Sequence, residues 1–512
     1  MSFKSENFVD EMVTHPRRAR LWSENEGEAE WPKKRATKLN ETDQAFETGP
    51  SVNLNAPAYA ERKIGSTSVK SWPELRRAHA VSFVGLLLFT AVTYFRPYEL
   101  IPALAGFNTM AFWLAVATLA VFIPTQFAAE GTVTVRPREV NLALLLLLAG
   151  LLSTPRALEP ATAWASFVDF AKVVTMFIVM VNVVRTEMRW RAMIWLSLLV
   201  SLVLSVSAVN EYLMGHFDAR GERIAGFLGR GLFENPNDLA LYLVTMIPLA
   251  LGLLFVARSY SKKLFYGLCA LLMVAGTVVT LSRGGFLGLA CASFVLAWKI
   301  GRRNRLATVI LFLLVIVIFF IFVPPELTGR LLSSVGSNAE SSAVARQNLL
   351  WRSIFVTLTH PVLGVGMGNF HIFSIHEQVT HNAYTQVSSE MGIPAMIIYV
   401  LFILFALKRL RGIESETYEA RSQVRVFYLS VALQASLVGY MVSSFFASVA
   451  YLWNIYFLIG YALCLHRLYE AKGRELFGRA SVRKPFDILA ESNESDDSLA
   501  APLTENLARY ER

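Results

Sequence analysis

Continuous apolar runs long enough to cross a bilayer recur along this chain from residue 80 to residue 466, and they decide its fold class before any single residue is considered. A bilayer core takes about 20 apolar residues per helix, and windows of that length give about twelve spans. They fall near 80–95, 107–128, 140–154, 163–184, 190–213, 238–257, 264–282, 284–300, 306–324, 384–407, 427–449 and 450–466. The runs are rich in Leu, Val, Ile and Phe and lack the period-two alternation of a transmembrane barrel. In lipid the backbone must then be satisfied within helices. The expected fold is all-α: a polytopic integral membrane protein of about twelve transmembrane helices, with a long periplasmic loop between helices 9 and 10. Of 512 residues 54% are hydrophobic and 17% charged, with a mean hydropathy of +0.44, which excludes a soluble protein of this length.

Three regions follow. Residues 1–78 are of mixed charge, include Pro32, Lys33, Lys34 and Arg35, and have no apolar core for a cleaved signal. They are expected to form a disordered cytoplasmic extension. Residues 79–466 form the membrane domain, with its loop at 325–383. Residues 467–512 are a polar tail that turns acidic at Glu491, Glu494, Asp496 and Asp497, expected to be solvated and cytoplasmic. Cys269, Cys291 and Cys464 are isolated within spans, with no metal-ligand spacing, and read as packing residues. No metal and no cofactor is expected.

Basic residues in short loops set the orientation. Loops on the side of the N-terminus carry Arg136 and Arg138; Arg185, Arg189 and Arg191; Arg258, Lys262 and Lys263; Lys299, Arg302, Arg303 and Arg305; and Lys408, Arg409 and Arg411. That side is expected to be the cytoplasm, with both termini in it and the long loop outside. The net charge of +9 is then mainly an insertion signal and an attraction to anionic lipid, with no implication of nucleic acid. Basic residues left on the outer side need another explanation.

Three outer segments concentrate them. The first, His216 to Asp238, carries Arg220, Arg223 and Arg230 among glycines and ends in Asn235, Pro236, Asn237 and Asp238, a helix start. The second is the turn Ser282, Arg283, Gly284, Gly285, where the arginine is either a snorkelling anchor or a ligand and the glycines favour a binding turn. The third is the long loop. Within it Val344, Leu350, Ile354, Phe355 and Leu358 fall at helical spacing with Arg346 and Arg352 on other faces, as in an amphipathic helix on the outer leaflet. Gly364, Gly366 and Gly368 follow without the strand context of a dinucleotide loop and read as a tight backbone crossing.

The loop ends in Thr380, His381, Asn382, Ala383 and Tyr384. His381, at the mouth of the tenth span, is the leading catalytic candidate; His360, His371 and His376 are its rivals within the loop. Asn382, Gln386, Ser389 and Glu390 form a polar stripe, which either faces a cavity or joins helices. In the fourth span, Asp169 and Lys172 lie three residues apart, as an ion pair or a proton relay.

These stretches together resemble the O-antigen ligase and polymerase superfamily of bacterial membrane glycosyltransferases. The resemblance is carried by RIAGFLGRGLFENPNDLA, the turn SRGG, the run from Arg346 through Trp351 to HPVLGVGMGNF, and HNAYTQVSSEMG, in order between Arg223 and Gly392. It implies a metal-independent enzyme of the bacterial inner membrane, acting on a glycan carried by undecaprenyl diphosphate at the periplasmic face. The acceptor would be lipid A core in a ligase, a second carrier-linked glycan in a polymerase, or a protein. The family's outer-face arginines match Arg223 and Arg283, and its loop histidine matches His381. Arg220, Arg230, Arg346, Asn382 and Glu390 are the further candidates for substrate binding, with Asn382 or Glu390 expected to orient His381.

The residue types suit that chemistry. Arginine forks match the oxygens of a departing diphosphate, and a histidine can take the proton from an acceptor hydroxyl. A secondary transporter or flippase of lipid-linked sugars is the alternative. Its two six-span halves would place the long connection after span six, where this chain has only Ala257 to Lys263.

Overall fold

A computed structural model describes residues 79–100, 102–216, 233, 235–302, 304–306, 309–310, 337–374, 378–418 and 423–482. The chain divides into units Met1–Thr67 and Ser68–Arg512, and the described residues all lie in the second. Among them no strand occurs. The principal helices are α1 (Ala80–Phe95), α2 (Met110–Glu130), α3 (Arg138–Ser153), α4 (Pro160–Val183), α5 (Glu187–Leu213), α6 (Pro236–Val256), α7 (Tyr260–Val279), α8 (Arg283–Ile300), α9 (Ser337–Thr359), α10 (Ala383–Met391), α11 (Ile393–Tyr418), α12 (Val424–Ser443) and α13 (Trp453–Val482). Ten helical segments among the described residues are long and apolar enough to cross a membrane. This is an all-α polytopic membrane fold.

Local signals set the helix ends. Thr186 caps α5 by accepting from the Arg189 amide at 3.2 Å, and Asn235 caps α6 by accepting from the Asn237 amide at 3.0 Å. Pro160 and Pro236 open α4 and α6, where a missing amide hydrogen costs nothing. Gly131, with φ 67°, closes α2.

Helix α6 is the centre of the bundle, its residues Leu239 to Ala250 all buried against α7, α8 and α12. Lipid supplies no hydrophobic drive between helices, so close approach depends on small residues. A Cβ on Gly252 would lie 2.6 Å from that of Ala432, and one on Gly288 would lie 1.9 Å from Ser443 Oγ. Replacing Gly288 by valine is therefore expected to pry α8 from α12 and cost more than the roughly 1–3 kcal/mol of ordinary overpacking. The check is a lower thermal midpoint and a smaller monodisperse fraction in detergent.

The alternation of basic loops corresponds to one end of the bundle. There Arg185 pairs with Glu130 at 2.8 Å, Arg425 with Glu187 at 2.9 Å and Lys299 with buried Glu414 at 2.6 Å, with Arg302 on the same carboxylate. Arg409 holds the buried Glu139. The opposite end carries Arg283, His381 and the turn before α13.

Three expectations are revised or left open. The ninth span, 306–324, lies largely outside the described residues. The tenth does not begin at residue 384: the crossing helix is α11, and α10 before it is a separate nine-residue helix. The break is Gly392, whose φ of 90° and whose hypothetical Cβ, 2.2 Å from the Val362 carbonyl oxygen, admit no side chain. The loop helix exists as α9, but its packed face is Leu349, Ser353, Val356 and Thr357. Of the expected apolar stripe, Val344, Phe355 and Leu358 are exposed, joined by Trp351. An exposed apolar face suits a helix lying on a membrane surface.

Candidate active site

The site is built from helix beginnings. Helix α8 starts after Leu281, which takes a left-handed φ of 51°, and Ser282, whose Oγ accepts from the Gly285 amide at 3.2 Å. The same hydroxyl donates to Asn237 Oδ1 at 2.8 Å, so the first turns of α6 and α8 are tied together. Arg283 is the first residue of α8 and is half-buried. The glycines beside it do not form a binding turn. Gly284 and Gly285 are buried, and Cβ atoms on them would lie 2.6 Å from that of Phe446 and 2.7 Å from that of Ala240. Their small size lets α8 approach α6 and the end of α12.

Helix α10 starts in a similar way. His381 has a left-handed φ of 50°, which few non-glycine residues adopt and histidine tolerates better than most. Asn382 then caps the helix, its Oδ1 accepting from the amides of Tyr384 at 2.9 Å and Thr385 at 3.1 Å. On the other side of His381, Thr380 donates to the Asn382 carbonyl at 3.0 Å and bonds the Ser448 hydroxyl at 3.0 Å. The histidine thus sits half-buried at a bend fixed from both flanks.

One short stretch, Met441 to Ser448, holds both helix starts. Tyr384 donates to the Met441 carbonyl at 3.0 Å and packs on the Phe445 ring with centroids 4.6 Å apart. Ser443 donates to the Gly284 carbonyl at 3.1 Å, and Phe446 covers Gly284. Arg283 and His381, far apart in sequence, are therefore anchored on the same support. Helices α6, α8 and α10 all begin at this end, and their free amide groups add partial positive charge to that of the arginine. Such an arrangement can hold an anion beside a proton acceptor.

The helix starts that carry Arg283, His381 and Asn382 are held by the same stretch, Met441 to Ser448. Arg346 is on α9 and half-buried, and α9 reaches α10 through Thr357 and Ser388, whose hydroxyls are 2.8 Å apart. Glu390 is at the far end of α10 from His381, about 13 Å along the helix, too distant to orient it. Asn382 spends its acceptor on the cap. Arg220, Arg223, Arg230 and His376 lie outside the described residues. Of the other histidines, His360 bonds Thr359 and His371 bonds the Gly368 carbonyl at 2.7 Å.

The expected backbone crossing is present, and Glu390 lies at it. The amides of Val365 and Gly366 donate to the carbonyls of Ser389 and Glu390 at 2.9 and 3.0 Å, and Ile393 donates to Pro361 at 2.8 Å. A Cβ on Gly364 would lie 2.3 Å from the Glu390 carbonyl carbon. Asn369, which the sequence did not single out, fastens this loop to the start of α4 by accepting from the Glu159 amide at 2.8 Å. Gln386 of the polar stripe accepts from the Ala450 amide at 3.3 Å, so part of the stripe joins elements.

Burial pushes the Glu390 carboxyl up to about 7, against the opposing pull of the Gly368 and Phe370 amides and the Tyr451 hydroxyl. A carboxyl raised in the folded state binds more protons there than in the unfolded chain. Its contribution is complete below the ordinary value of 4.5 and is lost as pH rises through about 7. Wild type is expected to lose on the order of 3 kcal/mol across that window, with Glu390→Gln flat. Thermal midpoints in detergent from pH 5 to 8 check this, and parallel curves for the two proteins would contradict it.

Residues 268–400 match the family model described as O-antigen ligase. The match runs from within α7 to the first turns of α11. It contains Arg283, Arg346, His381, Asn382 and Glu390, and it supports the resemblance to the O-antigen ligase and polymerase superfamily. No match is found among the curated proteins.

Proposed function

We propose that this chain is a membrane glycosyltransferase that takes a glycan from an undecaprenyl diphosphate carrier at the periplasmic face of the bacterial inner membrane, with both termini in the cytoplasm. The match over residues 268–400 supports a function of the O-antigen ligase or polymerase type. The observation that carries it is the joint support of Arg283 and His381 by Met441 to Ser448, at the end of the bundle where α8 and α10 begin.

In this reading an acceptor hydroxyl attacks the anomeric carbon of the donor sugar while His381 takes its proton. The bond from that carbon to the diphosphate oxygen breaks, and the electron pair leaves with the diphosphate. Arg283, with Arg223, stabilises the charge that develops there, which is most effective when donors are fixed in advance. Arg220, Arg230 and Arg346 are further candidates for binding the donor, and Asn382 holds the bend that carries the histidine. The reaction needs no metal to balance. The apolar face of α9, lying on the outer leaflet, would keep the site at the depth of a lipid-borne diphosphate.

The test is glycan attachment in cells lacking the protein. Glycan lost from lipid A core and accumulating on its carrier identifies a ligase; single repeats in place of long chains identify a polymerase. Unchanged glycans in the deletion would overturn the proposal.

A further inference from the structure

Helix α4 carries charge where a membrane protein has least use for it. Asp169 and Lys172 are the tenth and thirteenth residues of a 24-residue span, so each lies about 14–17 Å from the nearer end. Their side chains pair at 2.7 Å and are 75% and 43% exposed. They point away from the bundle, whereas α4 buries Phe170, Val173, Val174, Met176 and Phe177 against it. Ionisable groups at this depth ordinarily face a bundle interior, a cavity or a partner. Lipid headgroups cannot reach them, and an aspartate is too short to snorkel.

The same face is shaped for close approach. Ala161 and Ala165 are exposed on it at four-residue spacing from Asp169, a small-residue stripe leading directly to the ion pair. The neighbouring helix α3 presents Leu145, Leu148 and Leu152 outward, so the charges form a polar island in an apolar wall.

The geometry points to a membrane-embedded interface between two copies of this chain, formed along α4 with Asp169 and Lys172 at its centre. A second copy is the occupant whose charges match. Rotation about an axis normal to the membrane keeps both α4 helices parallel and at equal depth. Each carboxylate then meets the ammonium of its own helix and, about 4.5 Å away along the axis, that of the other. The result is a closed ring of four alternating charges out of contact with lipid. This inference does not depend on the proposed chemistry.

Two charge reversals test it on the full chain in lipid nanodiscs. Wild type is expected to be dimeric by native mass spectrometry. Lys172→Asp leaves only acids on this face and Asp169→Lys only bases, so each alone should lower the dimer fraction at least tenfold. Expressed together under different tags, the two should purify as a mixed dimer. The swap Asp169→Lys with Lys172→Asp keeps the pair and should keep the dimer, which separates misfolding from loss of the interface. Ala165→Cys, with the three native cysteines replaced by alanine, should form a disulfide between copies on oxidation. A monomeric wild type, reversals without effect on the dimer, or an Ala165→Cys crosslink to another segment or another protein would each overturn the inference.

Discussion

Replacing His381 by alanine is expected to leave a folded, membrane-inserted protein whose glycan transfer is slower by roughly 10²- to 10⁴-fold, the usual contribution of a positioned general base. Folding should survive because the bend is held by the side chains on either side of the histidine. Asn382 caps α10 through its own side chain, and Thr380 is tied to Ser448. The loss should fall on the maximal rate rather than on the apparent affinity for the donor, because a proton acceptor stabilises the transition state and contributes little to ground-state binding. His381→Asn, able to adopt the same left-handed backbone but unable to accept the proton at neutral pH, should be as slow as alanine. Transfer measured in reconstituted membranes with a lipid-linked donor checks both variants. Full activity in either would remove His381 from the chemistry.

The second large effect is expected at Arg283. Removing one preorganised donor to developing charge typically costs about 10²- to 10³-fold in rate. Arg283→Ala should fall in that range, and Arg283→Lys should lie between it and wild type, because an ammonium keeps the charge but cannot bridge two phosphate oxygens. The comparison also separates catalysis from packing. Arg283 is half-buried at the first position of α8, while the contacts that seat the helix are made by Gly284, Gly285 and Gly288. Thermal midpoints of both variants should therefore stay close to wild type, whereas Gly288→Val should lower the midpoint. A lysine variant as slow as alanine at saturating donor would mean that the fork, and not the charge, is what the leaving group needs.

The fold class was legible because lipid imposes one demand on every residue of a span, and twenty apolar residues in a row satisfy it wherever they pack. The grouping of basic loops at one bundle end was legible for a related reason: it is a property of each loop by itself. What escaped depends on partners distant in sequence. The break at Gly392 is fixed by Val362, across a turn that the apolar run from Ile393 onward conceals. The glycines after Arg283 were read as room for a ligand when they are room for α6 and the end of α12, and a glycine looks the same in either use. Glu390 was recognised as a polar residue in an unusual place, yet its surroundings are made by Tyr451 and the loop through Gly368 and Phe370. The support for both helix starts, Met441 to Ser448, has no motif that would announce it. Only the hydrogen bonds of Tyr384, Thr380 and Ser443 reveal it.

His381 and Arg283 stand differently. Each was visible as a charged or titratable group at a helix mouth, and the structure adds that both mouths open at the same end on one support. Joint action follows as a double-mutant expectation. If both act on one transition state, the combined loss in His381→Ala with Arg283→Ala should be smaller than the product of the single losses, since groups that act as a unit are not additive.

The central claim is that this end of the bundle breaks the bond between a sugar and a lipid diphosphate. It is tested most directly by following release of the free polyprenyl diphosphate from a lipid-linked glycan donor, using the purified full chain in nanodiscs with an acceptor present. Wild type should release the carrier in step with formation of the new glycosidic bond, and the protein lacking the His381 side chain should do both more slowly by the same roughly 10²- to 10⁴-fold factor. Carrier released at equal rates by both proteins, or glycan moved across the membrane with its diphosphate bond intact, would contradict the account.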